Sequence, residues 1–371
     1  MMLTQTKRLN DEFTTRHNAG ESGFSIVEVM ISLTLFLVVT GAIWGLLKVA
    51  RADRSTSNQR IDVIKNLRVA LNTIGRDTLD AGYSYQKDGG LVPNGLIAAR
   101  LGVPPDTDGL PDHLVGVISA NNLNANSLQT TEYTDEVSFV YRDSSFNNNQ
   151  TIPLTGAVEN PTGVVRLEIS PNPGVPTNSV CRLYDLYVIE TQSSSAIAMV
   201  TEVPTGPTNT KFIRFANGDP LGINRSWSTS ILRTCANTAD TNCTNYPASL
   251  KKAIWVSYKV LSDGTLVRTV YGNNSTGTPV QQIQDMPLAY GVENMQITYV
   301  MDDGTVSDDP VSGPDGVRGT LDDTPLNLKL VRQLTITLKA QSPQIDPRSG
   351  QRAKVTLSAT FSTRNLGYDA G

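Results

Sequence analysis

Three groups of residues in this 371-residue chain have types and spacing that could do chemistry. The first is Gly23-Phe24 followed by a carboxylate, Glu28, at the fifth position counted from Phe24. Around that carboxylate runs an apolar stretch to Leu47, F-S-I-V-E-V-M-I-S-L-T-L-F-L-V-V-T-G-A-I-W-G-L-L. A carboxylate in a membrane-spanning helix costs about 2.5–3.5 kcal/mol on insertion scales, so it needs a partner or a task. Scission between Gly23 and Phe24 would create a cationic α-amino group, and Glu28 of a neighbouring subunit could pair with it. A buried charge would then select for assembly.

The second group is an acidic stretch, D-D-G-T-V-S-D-D-P-V-S-G-P-D-G-V-R-G-T-L-D-D, with seven aspartates: Asp302, Asp303, Asp308, Asp309, Asp315, Asp322 and Asp323. A calcium ion needs several oxygens converging at about 2.3–2.6 Å, which such a loop could supply. The spacing does not follow the helix-loop-helix calcium pattern, and a solvated turn-rich loop is the preferred reading. The third group is Cys181, Cys235 and Cys243. Cys235 and Cys243 could close a short disulfide loop, but three cysteines allow three pairings and always leave one over. Catalytic constellations are missing: the two histidines, His17 and His113, accompany no nucleophile motif, and neither a phosphate-binding loop nor a paired-histidine zinc motif occurs. The chain is not expected to be an enzyme or to need a cofactor other than that possible calcium.

The elements that must position these groups begin with one helix. At ~1.5 Å per residue, residues 24–47 reach ~36 Å, enough to cross a bilayer's hydrocarbon core with some tilt. Beyond it, Ile61, Ile64, Leu67, Leu71, Ile74 and Thr78 recur at three- and four-residue steps, with Arg60, Asp62, Lys65, Arg68 and Arg76 on other faces. No proline occurs between Phe24 and Tyr83, so one helix is expected from about Phe24 to Leu79, ending near Gly82. Gly41 and Gly45 in G-A-I-W-G would let a second helix approach closely, although chance places small residues there as readily. Lys48, Arg51 and Arg54 follow the span, an excess that the positive-inside rule would put in the cytoplasm.

Gly23-Phe24-S-I-V-E with the apolar run behind it resembles the prepilin signature of type IV pilins and type II secretion pseudopilins. That resemblance implies a peptidase that cuts after Gly23 and methylates the new terminal Phe24, with Glu28 driving assembly. It further implies a cytoplasmic leader at 1–23, a single-pass inner-membrane helix, and an extracytoplasmic domain at 83–371 whose cysteines meet oxidising conditions. A secretory signal peptide cut near Val49–Ala52 is the competing reading. Against it stand the length of the apolar run, its internal acid and its 23-residue polar leader.

Strand signals follow a Gly-, Pro- and Asp-rich stretch at 84–134, read as extended loop with a short helix near Leu96 to Leu101. They cover Val137 to Arg142, Val164 to Ile169, Leu183 to Ile189, Ala196 to Val200, Leu330 to Leu338 and Lys354 to Ser362. The clearest hairpin is A-I-W-V-S-Y-K-V-L-S-D-G-T-L-V-R-T-V-Y, turning at Asp263-Gly264. W-V-S-Y-K-V with D-G-T-L-V-R, G-V-E-N-M-Q-I-T-Y from Gly291, and T-F-S-T-R-N-L from Thr360 resemble PilW-like minor pilins and the related J-type minor pseudopilins.

The fold class is therefore α+β: a long N-terminal helix, its second half (48–82) packed on an antiparallel sheet with large loops. The net charge of −4 and the lack of a basic tract argue against nucleic acid as a direct partner. The resemblance implies a minor pilin of type IV pilus assembly or initiation. Its partners would be other minor and major pilins, the prepilin peptidase, the inner-membrane assembly platform and the membrane. A minor pseudopilin of type II secretion and a membrane-tethered adhesin or hydrolase are the alternatives.

Overall fold

The computed structural model describes residues 23–101, 111–159, 165–169, 181–190, 195–203, 212–224, 249–272, 282–346 and 349–366. It divides into two compact units, Met1–Ser55 and Thr56–Gly371. Helix α1 is Ile26–Asp80, unbroken because no proline or helix-ending glycine interrupts it before Gly82, whose φ is +76°. Then come β1 (Gly90–Val92), α2 (Leu96–Leu101), β2 (Asp112–Leu114), β3 (Val117–Asn126), β4 (Gln129–Arg142), β5 (Ile152–Glu159), β6 (Val165–Ile169), β7 (Leu186–Glu190) and β8 (Ser195–Met199). The chain continues through β9 (Phe212–Phe215), β10 (Ser249–Val260), β11 (Leu266–Tyr271), β12 (Ile283–Ala289), β13 (Val292–Met301), β14 (Val306–Ser307), β15 (Val331–Ile345) and β16 (Arg352–Ser362). The α+β expectation holds.

Two sheets form, where one antiparallel sheet was expected. The larger runs β2-β1-β8-β7-β10-β5-β6-β9, with β4 and β11 also on β10, β3 on β4 and β12 on β11; the smaller is β14-β13-β15-β16. Among the described residues all ladders are antiparallel except a single parallel pairing, Leu91 with Ala196. Strand β10 is the hub. Its first half lies against β7 and β5, and its second half, through Trp255 and Tyr258, between β4 and β11. Trp255, Val256, Ser257 and Tyr258 are all buried, so this strand is covered on both faces.

Asp263-Gly264 does turn the β10–β11 hairpin, with Gly264 at φ +82°. The expectation of loop through 84–134 is corrected: only α2 was anticipated there, whereas β1, β2, β3 and the first half of β4 all pair. Asn and Asp make these strands read as loop, yet they serve an irregular ladder. Register shifts occur after Ala120 and Asn124, and Asn122 is at φ +52°.

Within Thr56–Gly371, the second half of α1 buries Val63, Leu67, Ala70, Leu71, Ile74 and Gly75. The stripe starts later than its periodicity suggests: Ile61 is 46% exposed and Val63 is buried in its place. At Gly75 a β-carbon would come within 2.3 Å of the Phe361 ring of β16, so only glycine lets the helix lie this close. Two cores result. Along β7, Leu186 and Val188 face the main one, while Tyr187 and Ile189 face a smaller one with Cys181, Phe215 and Leu250, the period-two alternation of a strand.

Asp135 of β4 ties the sheets together. Its Oδ1 accepts the Asn122 N–H at 2.8 Å and its Oδ2 accepts the Ile297 N–H of β13 at 2.7 Å. Burial pushes its carboxyl up to about 6, against the pull of those two N–H groups and of Arg318. A carboxyl raised in the folded state binds its proton more tightly there than in the unfolded chain. Its contribution to stability is therefore greatest near pH 4 and falls as pH rises to about 6. Urea titrations of the wild type and Asp135→Asn across this range should show the wild type losing up to about 3 kcal/mol relative to the variant. Parallel curves would refute it.

Candidate functional site

The candidate site lies at the start of α1. Residues 23–25 are not helical and Gly23 and Phe24 are exposed, so the Gly23–Phe24 peptide bond lies ahead of the first helical turn. A β-carbon on Gly23 would meet nothing within 4 Å. Phe24 is 83% exposed.

Ser25 caps the helix. Its Oγ accepts the Val27 N–H at 3.3 Å and its carbonyl accepts the Val29 N–H at 3.1 Å. In return, Glu28 Oε2 accepts the Ser25 N–H at 3.3 Å. This is a variant of the S-x-x-E capping box, with the serine hydroxyl on the Val27 amide instead of that of Glu28, and it satisfies amide donors that a membrane would leave stranded. The partial positive charge at a helix N-terminus also favours a carboxylate in the first turn. Glu28 therefore has a local partner before any neighbouring subunit supplies one. The sequence reading treated Glu28 as lacking one, although S-I-V-E carries the signal in its four-residue spacing.

Between this cap and Val49 the apolar side chains are exposed, Ile26 at 80% and Leu46 at 71% among them. Thr34 turns its hydroxyl back onto the Met30 and Ile31 carbonyls, at 3.0 and 2.8 Å, which suits an apolar solvent. Gly41 and Gly45 have nothing within 4 Å of where a β-carbon would stand. By length and composition α1 can cross a membrane.

The other candidate residues are dispersed. Arg318 forms a salt bridge with buried Asp309, whose carboxyl also accepts the Val311 N–H at 3.2 Å. Burial would raise the Asp309 carboxyl, but Arg318 outweighs it and holds the group below its ordinary range. Asp303 and Asp322 bond to the Thr305 and Thr320 hydroxyls at 2.7 and 2.6 Å. Asp315 accepts the Val317 N–H at 2.7 Å and Asp323 the Gly319 N–H at 2.8 Å; Asp302 faces Arg332 at 3.8 Å. Asp308 has no part in these turns. Among the described residues no three acidic, histidine or cysteine groups converge as a metal would require. Asp303, Asp315, Asp322 and Asp323 hold turn amides and hydroxyls, while Asp302 and Asp309 face arginines.

His113 places Nδ1 2.9 Å from the Asp88 carbonyl, a structural contact. Cys181 is a free buried thiol. Cys235 and Cys243 lie outside the described residues, as do His17 and the leader up to residue 22.

Sequence reasoning also missed a buried polar quartet within Thr56–Gly371. Asp77 of α1 accepts hydrogen bonds from Tyr141 Oη of β4 at 2.8 Å, Tyr258 Oη of β10, and Arg268 Nε of β11 at 2.8 Å. Tyr258 and Arg268 are cross-strand partners. Burial, reinforced by the Asp77 charge, pushes both phenols far above their ordinary range. This is an anchor for the helix.

Residues 18–44 match the family model described as the prokaryotic N-terminal methylation motif. No curated protein and no solved structure matches the chain. The matched segment covers the exposed scissile bond, the capping box and most of the apolar stretch, and it supports a type IV pilin-like protein processed by prepilin peptidase.

Proposed function

We propose that this chain is a minor pilin that enters the initiating or tip complex of a type IV pilus. The observation that carries the reading is the methylation motif, with Glu28 at the fifth position after an exposed Gly23–Phe24 bond. The peptidase removes residues 1–23 and methylates Phe24. The apolar half of α1 holds the chain in the inner membrane and then in the filament core, beside other minor and major pilins and over the assembly platform. The domain after α1 faces the extracytoplasmic side and presents contacts to its neighbours. The PilW-like segments, W-V-S-Y-K-V and G-V-E-N-M-Q-I-T-Y, favour the minor-pilin assignment within this class. Neither catalysis nor a cofactor has a part in this role.

Mass spectrometry of the mature N-terminus, taken from membranes, tests the reading. N-methylated Phe24 is the expected result. An uncut Met1, or a terminus near Asp53, would overturn it. Deleting the gene should abolish surface pili; lost protein secretion with pili retained would move the chain to the pseudopilins.

A further inference from the structure

Lys48, Arg51 and Arg54 are all exposed and follow directly on the last apolar residues of α1. At about 100° per residue, Lys48 and Arg54 lie about 60° to either side of Arg51, so the three cations form one face. Trp44, 67% exposed, falls about 20° from Arg51 on that same face, two turns earlier. Asp53, the acid in this stretch, falls about 160° from Arg51, about 140° from Lys48 and about 100° from Arg54, off the face the cations share. Along the axis the cations span ~1.5–10 Å past Leu47, the depth of a headgroup layer once side-chain reach is added.

An interfacial indole followed by cations on one face is the pattern that seats a helix in an anionic membrane surface. We infer that the Trp44–Lys48–Arg51–Arg54 face binds the phosphate headgroups of anionic phospholipids where α1 leaves the bilayer. The occupant is lipid because the face continues the apolar stretch without a break, so the headgroups meet it as soon as the helix spans. In the orientation of the proposed function, the site also accounts for cations where a charge-count rule would not place them, since lipid neutralises them there. It rests on α1 spanning a membrane, independently of whether the chain assembles into a pilus.

The test reconstitutes the full chain in vesicles of phosphatidylcholine with about a third phosphatidylglycerol, and measures the lipids retained on it by native mass spectrometry. Phosphatidylglycerol should be enriched over phosphatidylcholine by on the order of tenfold, and high salt should reduce the preference. The triple variant Lys48→Gln, Arg51→Gln, Arg54→Gln should lose it. A variant with the same charge removed further along, Arg60→Gln, Lys65→Gln, Arg68→Gln, should keep it. Equal enrichment in the wild type and the first variant, or equal loss in both variants, would overturn the proposal. Failure of the wild-type chain to resist alkaline extraction would overturn it too, by removing the span; failure of the pilin reading instead shows in the N-terminal mass.

Discussion

Asp77→Ala should cost the fold about 3–5 kcal/mol. The carboxylate lies within the helix–sheet core, and removing it strands the Arg268 guanidinium and the Tyr141 and Tyr258 hydroxyls beside a void. Burial alone would lower the Arg268 pKa, but bonding to Asp77 outweighs it and raises it, and a guanidinium remains charged even when that partner is removed. The cost arises from that uncompensated charge more than from the lost bonds. Asp77→Asn, which keeps an acceptor, should cost less. Asp77→Ala combined with Arg268→Leu should recover a good part of the loss, because the pair then leaves together. Urea denaturation of the wild type, these three variants and Arg268→Leu alone gives the cycle. A loss below about 1 kcal/mol for Asp77→Ala would show that the quartet is held by packing around it.

Glu28→Ala should move two measurable quantities in opposite directions. Removing a carboxylate from a spanning helix eases membrane insertion by about 2.5–3.5 kcal/mol, discounted by whatever the capping box already recovers. The variant should therefore sit in the inner membrane at least as well as the wild type. Under the proposed function it should nevertheless be absent from sheared pili, because the pairing that draws the subunit into the filament has gone. Glu28→Gln keeps the hydrogen bond to the Ser25 N–H and loses the charge, so it isolates electrostatics from capping. Normal incorporation of the alanine variant, in a strain lacking the wild-type copy, would make α1 an anchor and nothing more.

How much of this was legible in the sequence follows from range. The long helix, the Gly23–Phe24 bond, Glu28 and the Asp263-Gly264 hairpin depend on near neighbours, and near neighbours are what a sequence displays. Strands β1 to β3 and the start of β4 were hidden because Asn122, Asn124 and Asn126 were read as loop, whereas Asn126 donates to the Val292 and Glu293 carbonyls across the fold. Asp77 was hidden differently. It lies seven residues after Ala70 and three after Ile74, within the buried stripe, but an acid in a helix rich in Arg and Asp is read as solvated. The acidic stretch reads as turns from its glycines and prolines, and Asp303, Asp315, Asp322 and Asp323 there hold neighbouring amides and hydroxyls. The cap in S-x-x-E is short-range and readable from its four-residue spacing alone.

The hub position of β10 sets an order of events during synthesis. Its partners on β4 precede it by about 110–120 residues, and chains grow at roughly 5–20 residues per second, so β4 emerges some 6–24 seconds before the strand that will cover it. Strand β7 also waits. Through that interval both present unpaired backbone, and only the arrival of Trp255 and Tyr258 lets the large sheet close. The nascent chain thus passes through a long period open to mispairing, which a holding factor, or early capture of its N-terminal helix by the membrane, would have to bridge.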